Sequence, residues 1–323
     1  MSVKSRKRRF IPCECNHVYQ RSVNGEIIFY DREDFLMFYM IVSVFARKRN
    51  ILLLEMCLMY DHVHLLVEAE SREAMADFVR DCTSVFVREY NTSIGRNGQL
   101  FHKSFGSAPK QGAKKMRSVI VYIGNNPVEK DLCSEAAEYQ WNFLSYMVSS
   151  NPFSQDVPAR KRSRALLRCM KRANAAMQAG DYLNYKQLYD MFSGLSESDS
   201  KLLTDYIVTL YNPFDERRLL SYYDDLGQML DAMRSTAGSE HDLVEKWYTR
   251  SDVIYTSMIS YVKDTLKVWP VRKVMTLPVG KRMQLAADLK LHTGASLHEI
   301  GKFLHLRLKM VDISEKMITF AKF

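Results

Sequence analysis

Two histidines and a tyrosine are the residues with most chemistry to offer. His62 and His64 sit in the run His62-Val63-His64-Leu65-Leu66-Val67. On a β-strand, residues i and i+2 point to the same face. Both imidazoles then project together, while Val63, Leu65 and Val67 turn to a core behind them. Two imidazoles on one rigid strand can hold a divalent ion and leave positions open for water or a phosphate oxygen. A pair of surface histidines on a half-buried strand writes the same pattern, so the tripeptide alone does not decide. Tyr122 lies in Val119-Ile120-Val121-Tyr122-Ile123, whose residue types favour a strand. The length of the segment, its position and the stop at Pro127 instead predict a helix over 114–125. On a helix Asn126 lies at i+4 from Tyr122 and Ser118 at i−4, on one face. A phenol and an amide are then presented together, and an amide oxygen can complete a hard-metal site. The chain has 18 tyrosines, and an ordinary core tyrosine is the competing reading; only the combination carries weight.

The elements that must position these groups follow from local signals. Phe10 to Arg21 and Glu26 to Phe29 read as extended segments joined by Asn24-Gly25, a hairpin signal. Asp31 caps a helix with Glu33 and Asp34 in its first turn and Arg47-Lys48-Arg49 at its end, complementing the helix dipole. Ile51 to Met59 and His62 to Val67 read as adjacent strands around Tyr60-Asp61. Ser71 caps a second helix, whose Met75, Phe78, Val79, Cys82, Val85 and Phe86 recur at helical spacing. The first 150 residues therefore suggest an α+β layer fold, an antiparallel sheet with helices on one face. Beyond about residue 155 the pattern is helical, with breaks near Gly180, Asn212-Pro213, Ala237-Gly238 and Pro278-Val279-Gly280.

The chain of 323 residues is long enough for two domains with their own cores. Its net charge of +9 is unevenly spread. Residues 81–180 carry 15 basic against 7 acidic side chains, residues 181–260 carry 7 against 14, and residues 261–323 carry 12 against 5. Two basic regions flanking an acidic one suggest two surfaces for a polyanion. The six cysteines form no CxxC pair, which argues against a zinc ribbon. No stretch reaches the roughly 18 apolar residues that cross a bilayer, and a cytoplasmic, nucleoid-associated setting is expected.

Together these blocks resemble the single-tyrosine HUH transposases, in the branch of the REP-associated tyrosine transposases, relatives of the insertion-sequence-200 transposases. The resemblance rests on Asn16-His17-Val18 with Gln20-Arg21, Ile28-Phe29 followed by Asp34, and Cys57-Leu58-Met59. It continues through His62-Val63-His64-Leu65-Leu66-Val67-Glu68, Gly98-Gln99-Leu100-Phe101, Tyr122-Ile123 with Asn126-Pro127-Val128, and Trp141-Asn142-Phe143-Leu144-Ser145-Tyr146. It covers roughly residues 8–148. It implies a ferredoxin-like antiparallel sheet with the histidines on a central strand and the tyrosine on a neighbouring helix. It further implies His62, His64 and Asn126 as ligands of Mg²⁺ or Mn²⁺, Tyr122 as nucleophile, and single-stranded DNA folded into hairpins or repeats as substrate. A 5′-phosphotyrosine intermediate and a homodimer belong to the same expectation. Two positions depart from the family: Met59-Tyr60-Asp61 stands where Met-Pro-Asn is usual, and Ser104 where arginine is more frequent. Asp61 thereby adds a carboxylate beside the metal ligands, as an aid to the site or as a simple turn residue.

The remaining expectations concern DNA contacts and the later chain. Lys103, Lys110, Lys114, Lys115 and Arg117 lead into the tyrosine helix and can grip a DNA backbone, with Arg160, Lys161 and Arg162 continuing that surface. Domains are expected at 1–150 (catalytic), 151–260 (helical, of unassigned role) and 261–323. In the last, Met283 to Leu291, Ser296 to Leu304 and Leu308 to Lys316 read as three short helices. The latter two resemble a helix-turn-helix that would contact duplex DNA, with a packing bundle as the alternative. The rival to a catalytic reading is a domesticated, non-catalytic protein that binds hairpin or repeat DNA.

Overall fold

The computed structural model describes residues 10–158, 162–236 and 251–308. Four strands, β1 (Cys15–Arg21), β2 (Leu52–Leu58), β3 (His62–Glu68) and β4 (Gly106–Lys110), form an antiparallel sheet in the order β2-β3-β1-β4. Helix α1 (Arg32–Lys48) joins β1 to β2, and α2 (Arg72–Ile94) joins β3 to β4. That βαββαβ order with this strand arrangement is the ferredoxin-like fold. The helices that follow are α3 (Gly112–Glu129), α4 (Phe143–Val148), α5 (Arg164–Gln178), α6 (Tyr185–Phe192), α7 (Glu197–Tyr211) and α8 (Glu216–Leu220). Helices α9 (Leu226–Thr236), α10 (Val253–Ser260), α11 (Val279–Thr293) and α12 (Leu297–Leu304) follow among the described residues.

The period of two along β3 decides which face does what. Val63, Leu65 and Val67 join Phe35, Phe38, Met75, Phe78 and Phe86 of α1 and α2 in one core. The expected helices on one face are these two. The opposite face carries His62, His64 and Leu66, and α3 lies across it, packing Met116, Val119, Ile120 and Ile123 against Cys15, Leu54, Cys57 and Leu66.

The Asn24-Gly25 turn forms, with both residues in the left-handed region (φ 59° and 67°), but no hairpin follows it. β1 already pairs with β3 on one side and β4 on the other, so it has no edge left for residues 26–29. That segment instead bonds to the β2–β3 turn, with the Ile28 and Phe29 amides donating to the Tyr60 carbonyl (2.9 and 3.2 Å). The outer edge of β2 is also occupied. The Leu58 amide donates to the Trp141 carbonyl, the Asp215 amide donates to the Leu53 carbonyl, and Cys57 bridges to Asn142. β4, the other outer strand, is five residues long and contains Pro109.

The start of α1 is fixed by charge. Asp31 and Asp34 form a capping box, the Asp34 carboxylate accepting from the Tyr30 and Asp31 amides at 2.9 Å each. Its other oxygen accepts from the Tyr185 hydroxyl at 3.0 Å and from the Arg272 guanidinium. Both charged side chains are 0% exposed. Arg272 also donates to the Ser93 hydroxyl, and its guanidinium carbon lies 3.8 Å from the Tyr185 ring centre and 5.0 Å from that of Tyr90. Removing two charges from water is costly, and only such dense pairing offsets it.

The later chain builds on this frame. α7 packs against α1 and α5, and α9 against α3. α12 is capped by Ser296 and Glu299 and buries Ile300, Phe303 and Leu304 in the α1–α2 core. The Tyr30 hydroxyl donates to the Phe303 carbonyl at 2.6 Å, and the Ile27 amide to that of Lys302 at 3.2 Å. The stretch expected as a recognition helix lies, from residue 309 on, outside the described residues. No helix among the described residues is long and apolar enough to cross a membrane.

The buried pair sets a measurable contrast. Arg272→Met should lower the unfolding free energy by about 3–5 kcal/mol, because it strands the Asp34 carboxylate in the interior. Arg49→Ala, which removes a surface pair with Asp81, should cost under about 1 kcal/mol. Urea denaturation of both variants tests this; equal losses would contradict the role given to Arg272.

Candidate active site

β3 presents His62 and His64 to α3, and α3 answers with Tyr122 and, one turn on, Asn126. The Asn126 carboxamide stands between the two imidazoles, its Oδ1 3.2 Å from His62 Nε2 and its Nδ2 3.2 Å from His64 Nε2. The Tyr122 ring lies edge-on to His64, with centres 5.5 Å apart. All four side chains are buried. The structure thus brings together every residue expected to hold a metal or act as nucleophile. Ser118 stays outside, exposed, its hydroxyl donating to the Lys114 carbonyl at 3.0 Å.

Helix α3 is held at this height by contacts along its length. The Asn142 side chain donates to the Gly124 carbonyl, and that of Asn125 to the Met233 carbonyl on α9, both at 2.8 Å. Gly124 is close to α9: a Cβ there would come within 2.6 Å of the Met233 methyl. The acidic region of unassigned role therefore supplies, through α9, the outer support of the tyrosine helix.

Each histidine has an orienting partner. His62 Nδ1 is 2.6 Å from Asp61 Oδ1, so the residue that departs from the family pattern is no mere turn filler. Burial opposes ionisation of Asp61, but His62, Lys302 and Lys130 outweigh it and hold the carboxyl below its ordinary range. With Nδ1–H directed at Asp61, a neutral His62 turns the lone pair of Nε2 toward the Asn126 carbonyl oxygen. Two acceptors 3.2 Å apart are relieved only by a proton or a cation between them. That spacing is close to the roughly 3 Å between adjacent ligands of an octahedral ion with bonds near 2.1 Å. The donor set therefore fits a small hard cation. No cluster of three or more His, Cys, Asp or Glu side chains suited to a metal occurs among the described residues, so such a site relies on the asparagine.

His64 Nδ1 is 2.9 Å from Nε2 of His17 on β1. His17 was not among the expected site residues. Its alternation with Cys15 and Tyr19 was legible, but its place beside His64 depends on the β1–β3 register, which pairs Tyr19 with His64. Burial and Lys110 push the His17 ring down to about 3, and burial with His62, His17 and Arg21 lowers His64. Both rings are neutral in the fold. With Nε2 of His64 accepting from Asn126, its Nδ1–H donates to His17, an outer-shell contact of the kind that fixes a ligand's tautomer. Tyr19, next along β1, lies flat over β4: a Cβ on Gly106 would fall 2.0 Å from its ring.

The expected DNA contacts divide by location. Lys103 precedes β4, Lys110 ends it, and Lys114, Lys115 and Arg117 are exposed on the first turns of α3. Arg162 is exposed ahead of α5, whereas Arg160 and Lys161 lie outside the described residues.

The neutral rings give stability a pH dependence. An unfolded histidine titrates near 6.5, so acidification protonates the unfolded chain before His17 can follow. Folded values below the unfolded one mean stability present above about pH 6.5 and lost progressively below it. Urea midpoints measured in chelator should fall on that acid limb. His17→Phe should flatten the fall; an unchanged slope would show that His17 is not held neutral.

The comparisons with known proteins bear on this segment. Residues 25–126 match the model of the family described as transposase, IS200 like. A solved structure of a REP-associated tyrosine transposase bound to a REP hairpin aligns at 15% identity with a TM-score of 0.39, over 45% of this chain and 86% of that one. Comparison with curated proteins gives no match. The segment that holds the histidine pair, Tyr122 and Asn126 thus matches the family of IS200-like transposases, as its motifs imply.

Proposed function

We propose that this chain is a metal-dependent transposase that nicks and rejoins single-stranded DNA at hairpin or repeat sequences through Tyr122. The observation that carries this reading is the gathering of a phenol, two imidazoles and a carboxamide in one buried site between β3 and α3. His62, His64 and Asn126 would hold Mg²⁺ or Mn²⁺, which polarises the scissile phosphate and offsets the charge that grows in the transition state. The Tyr122 oxygen, once deprotonated, forms a bond to phosphorus as the bond to the 3′ oxygen breaks. The 3′ oxygen leaves as a hydroxyl after taking a proton, and the 5′ side stays on the tyrosine. One phosphodiester replaces another, so the reverse step rejoins strands without an external energy source.

The other residues have supporting roles in this scheme. Asp61 and His17 fix the rings of His62 and His64. Burial of all four groups strengthens their electrostatic effect on a phosphate. Lys114, Lys115 and Arg117 on the first turns of α3 are placed to meet a DNA backbone. Paired copies of the chain, and duplex contact by the stretch expected as a recognition helix beyond α12, complete the proposal.

The test is a covalent adduct. Labelled hairpin oligonucleotides incubated with Mn²⁺ should give a slow band on a denaturing gel, absent with chelator, Tyr122→Phe or His64→Ala. Binding of varied hairpins without any adduct would leave the non-catalytic DNA-binding reading in its place. His17→Phe should keep the adduct but weaken Mn²⁺ affinity by about 10–100-fold, read by isothermal titration.

A further inference from the structure

A groove of about 590 Å³ lies between α2 and the segment that leads into β4. Its wall on α2 is the helical stripe Ala76, Arg80, Thr83, Ser84, Val87 and Arg88. Residues 99–105 form the other wall, bringing Phe101 and Phe105 to its lining and Lys103 to its rim. Phe101 is buried against Phe38 and Phe86, which makes it a rigid wall, whereas Phe105 is half-buried.

The groove combines what an unpaired nucleotide requires. It offers apolar and aromatic surface for a base, and Arg80, Arg88 and exposed Lys103 at its margin for phosphates. Arg80 bonds to Asp77 at 2.6 Å and Arg88 approaches Glu89 at 4.0 Å, but both arginine side chains are about two-thirds exposed, at 64% and 65%. Such solvent-screened pairs are weak, and a polyanion can displace them. The segment is also tied to the strand that lies beside the histidines. The His102 amide donates to the Arg21 carbonyl at 2.8 Å, the Gln20 side chain donates to the His102 carbonyl at 2.7 Å, and Phe101 bridges to Ser22. Arg21 is in turn the register partner of His62. Two strand spacings, roughly 10 Å along the sheet, therefore separate this segment from the histidine strand, and the groove opens on the α2 face while the histidines occupy the opposite one.

We infer that the groove is a subsite for an unpaired base of single-stranded DNA, anchoring a strand that passes round the edge of the sheet beyond β1. This rests on the function proposed above. The base stacks on Phe105 against the α2 wall, and Lys103 and Arg88 meet its flanking phosphates.

Fluorescence anisotropy with labelled oligothymidylate and the full chain, in chelator so that no strand is cut, tests the inference. Ser84→Trp fills the groove from an exposed helix position; Thr92→Trp places the same bulk on α2 outside it. The expected result is about tenfold weaker binding for Ser84→Trp and unchanged binding for Thr92→Trp. An oligonucleotide carrying 5-iodouracil should cross-link on irradiation to residues 99–105 of the unmodified chain. Equal affinity of the two variants, or cross-links confined to other residues, would overturn the subsite. The adduct assay separates the two claims. Adduct formation with Ser84→Trp binding like the parent chain sinks the groove alone; weakened Ser84→Trp binding without any adduct from the parent chain sinks the transposase reading alone.

Discussion

The carboxylate of Asp34 is the point on which this structure turns. It closes the first turn of α1, accepts from Tyr185 of α6 and neutralises Arg272, a residue 238 positions later. Those partners come from three stretches of chain and meet on the two oxygens of one carboxylate. The start of α1 sets how the helix lies on the sheet, and the sheet sets where the histidines face. The cation from the late chain is thus part of the foundation of the early one. A hydrophobic contact could supply similar stability, but it would not specify so narrowly where each segment stops.

The opposite face of the sheet is organised by neutrality. His17 and His64 lie stacked without charge, and burial pushes the Glu55 carboxyl of β2 well above its ordinary range. Neither Glu55 oxygen has a hydrogen-bond partner. The Asp61 carboxylate, held below its ordinary range beside His62, supplies a compensating charge at the edge of this face. α3 covers it tightly because α9 and Asn142 hold that helix from outside. Rigidity here serves geometry, because it holds the Tyr122 ring at a fixed place beside His64.

Much of this was legible in the sequence. Alternation along β3 placed both histidines on one face, and the caps at Asp31 and Ser71 gave α1 and α2; α3 forms as expected over 114–125, but Pro127 does not stop it, and the helix runs through the proline to Glu129. What failed was long-range. The Asn24-Gly25 turn was read as a hairpin because its chemistry is local, while the reason it does not pair is that β1 has two other neighbours. His17 escaped for the same reason, since its position beside His64 is a fact about register. Arg272 looked like one more base in a cationic tail; nothing near it in sequence announces a buried acid. The acidic middle likewise read as helical, with nothing in it to say that α9 would back the tyrosine.

The borders of the sheet carry a consequence of another kind. β2 has its outer backbone groups engaged by the chain at Trp141, Asn142 and Asp215, and β4 is short and interrupted by a proline that has no amide hydrogen to give. A growing ribbon of strands, whether an ordered filament or an aggregate, therefore finds only one poor starting point among the described strands. Copies of the chain crowded together therefore have little means of recruiting one another through their sheets.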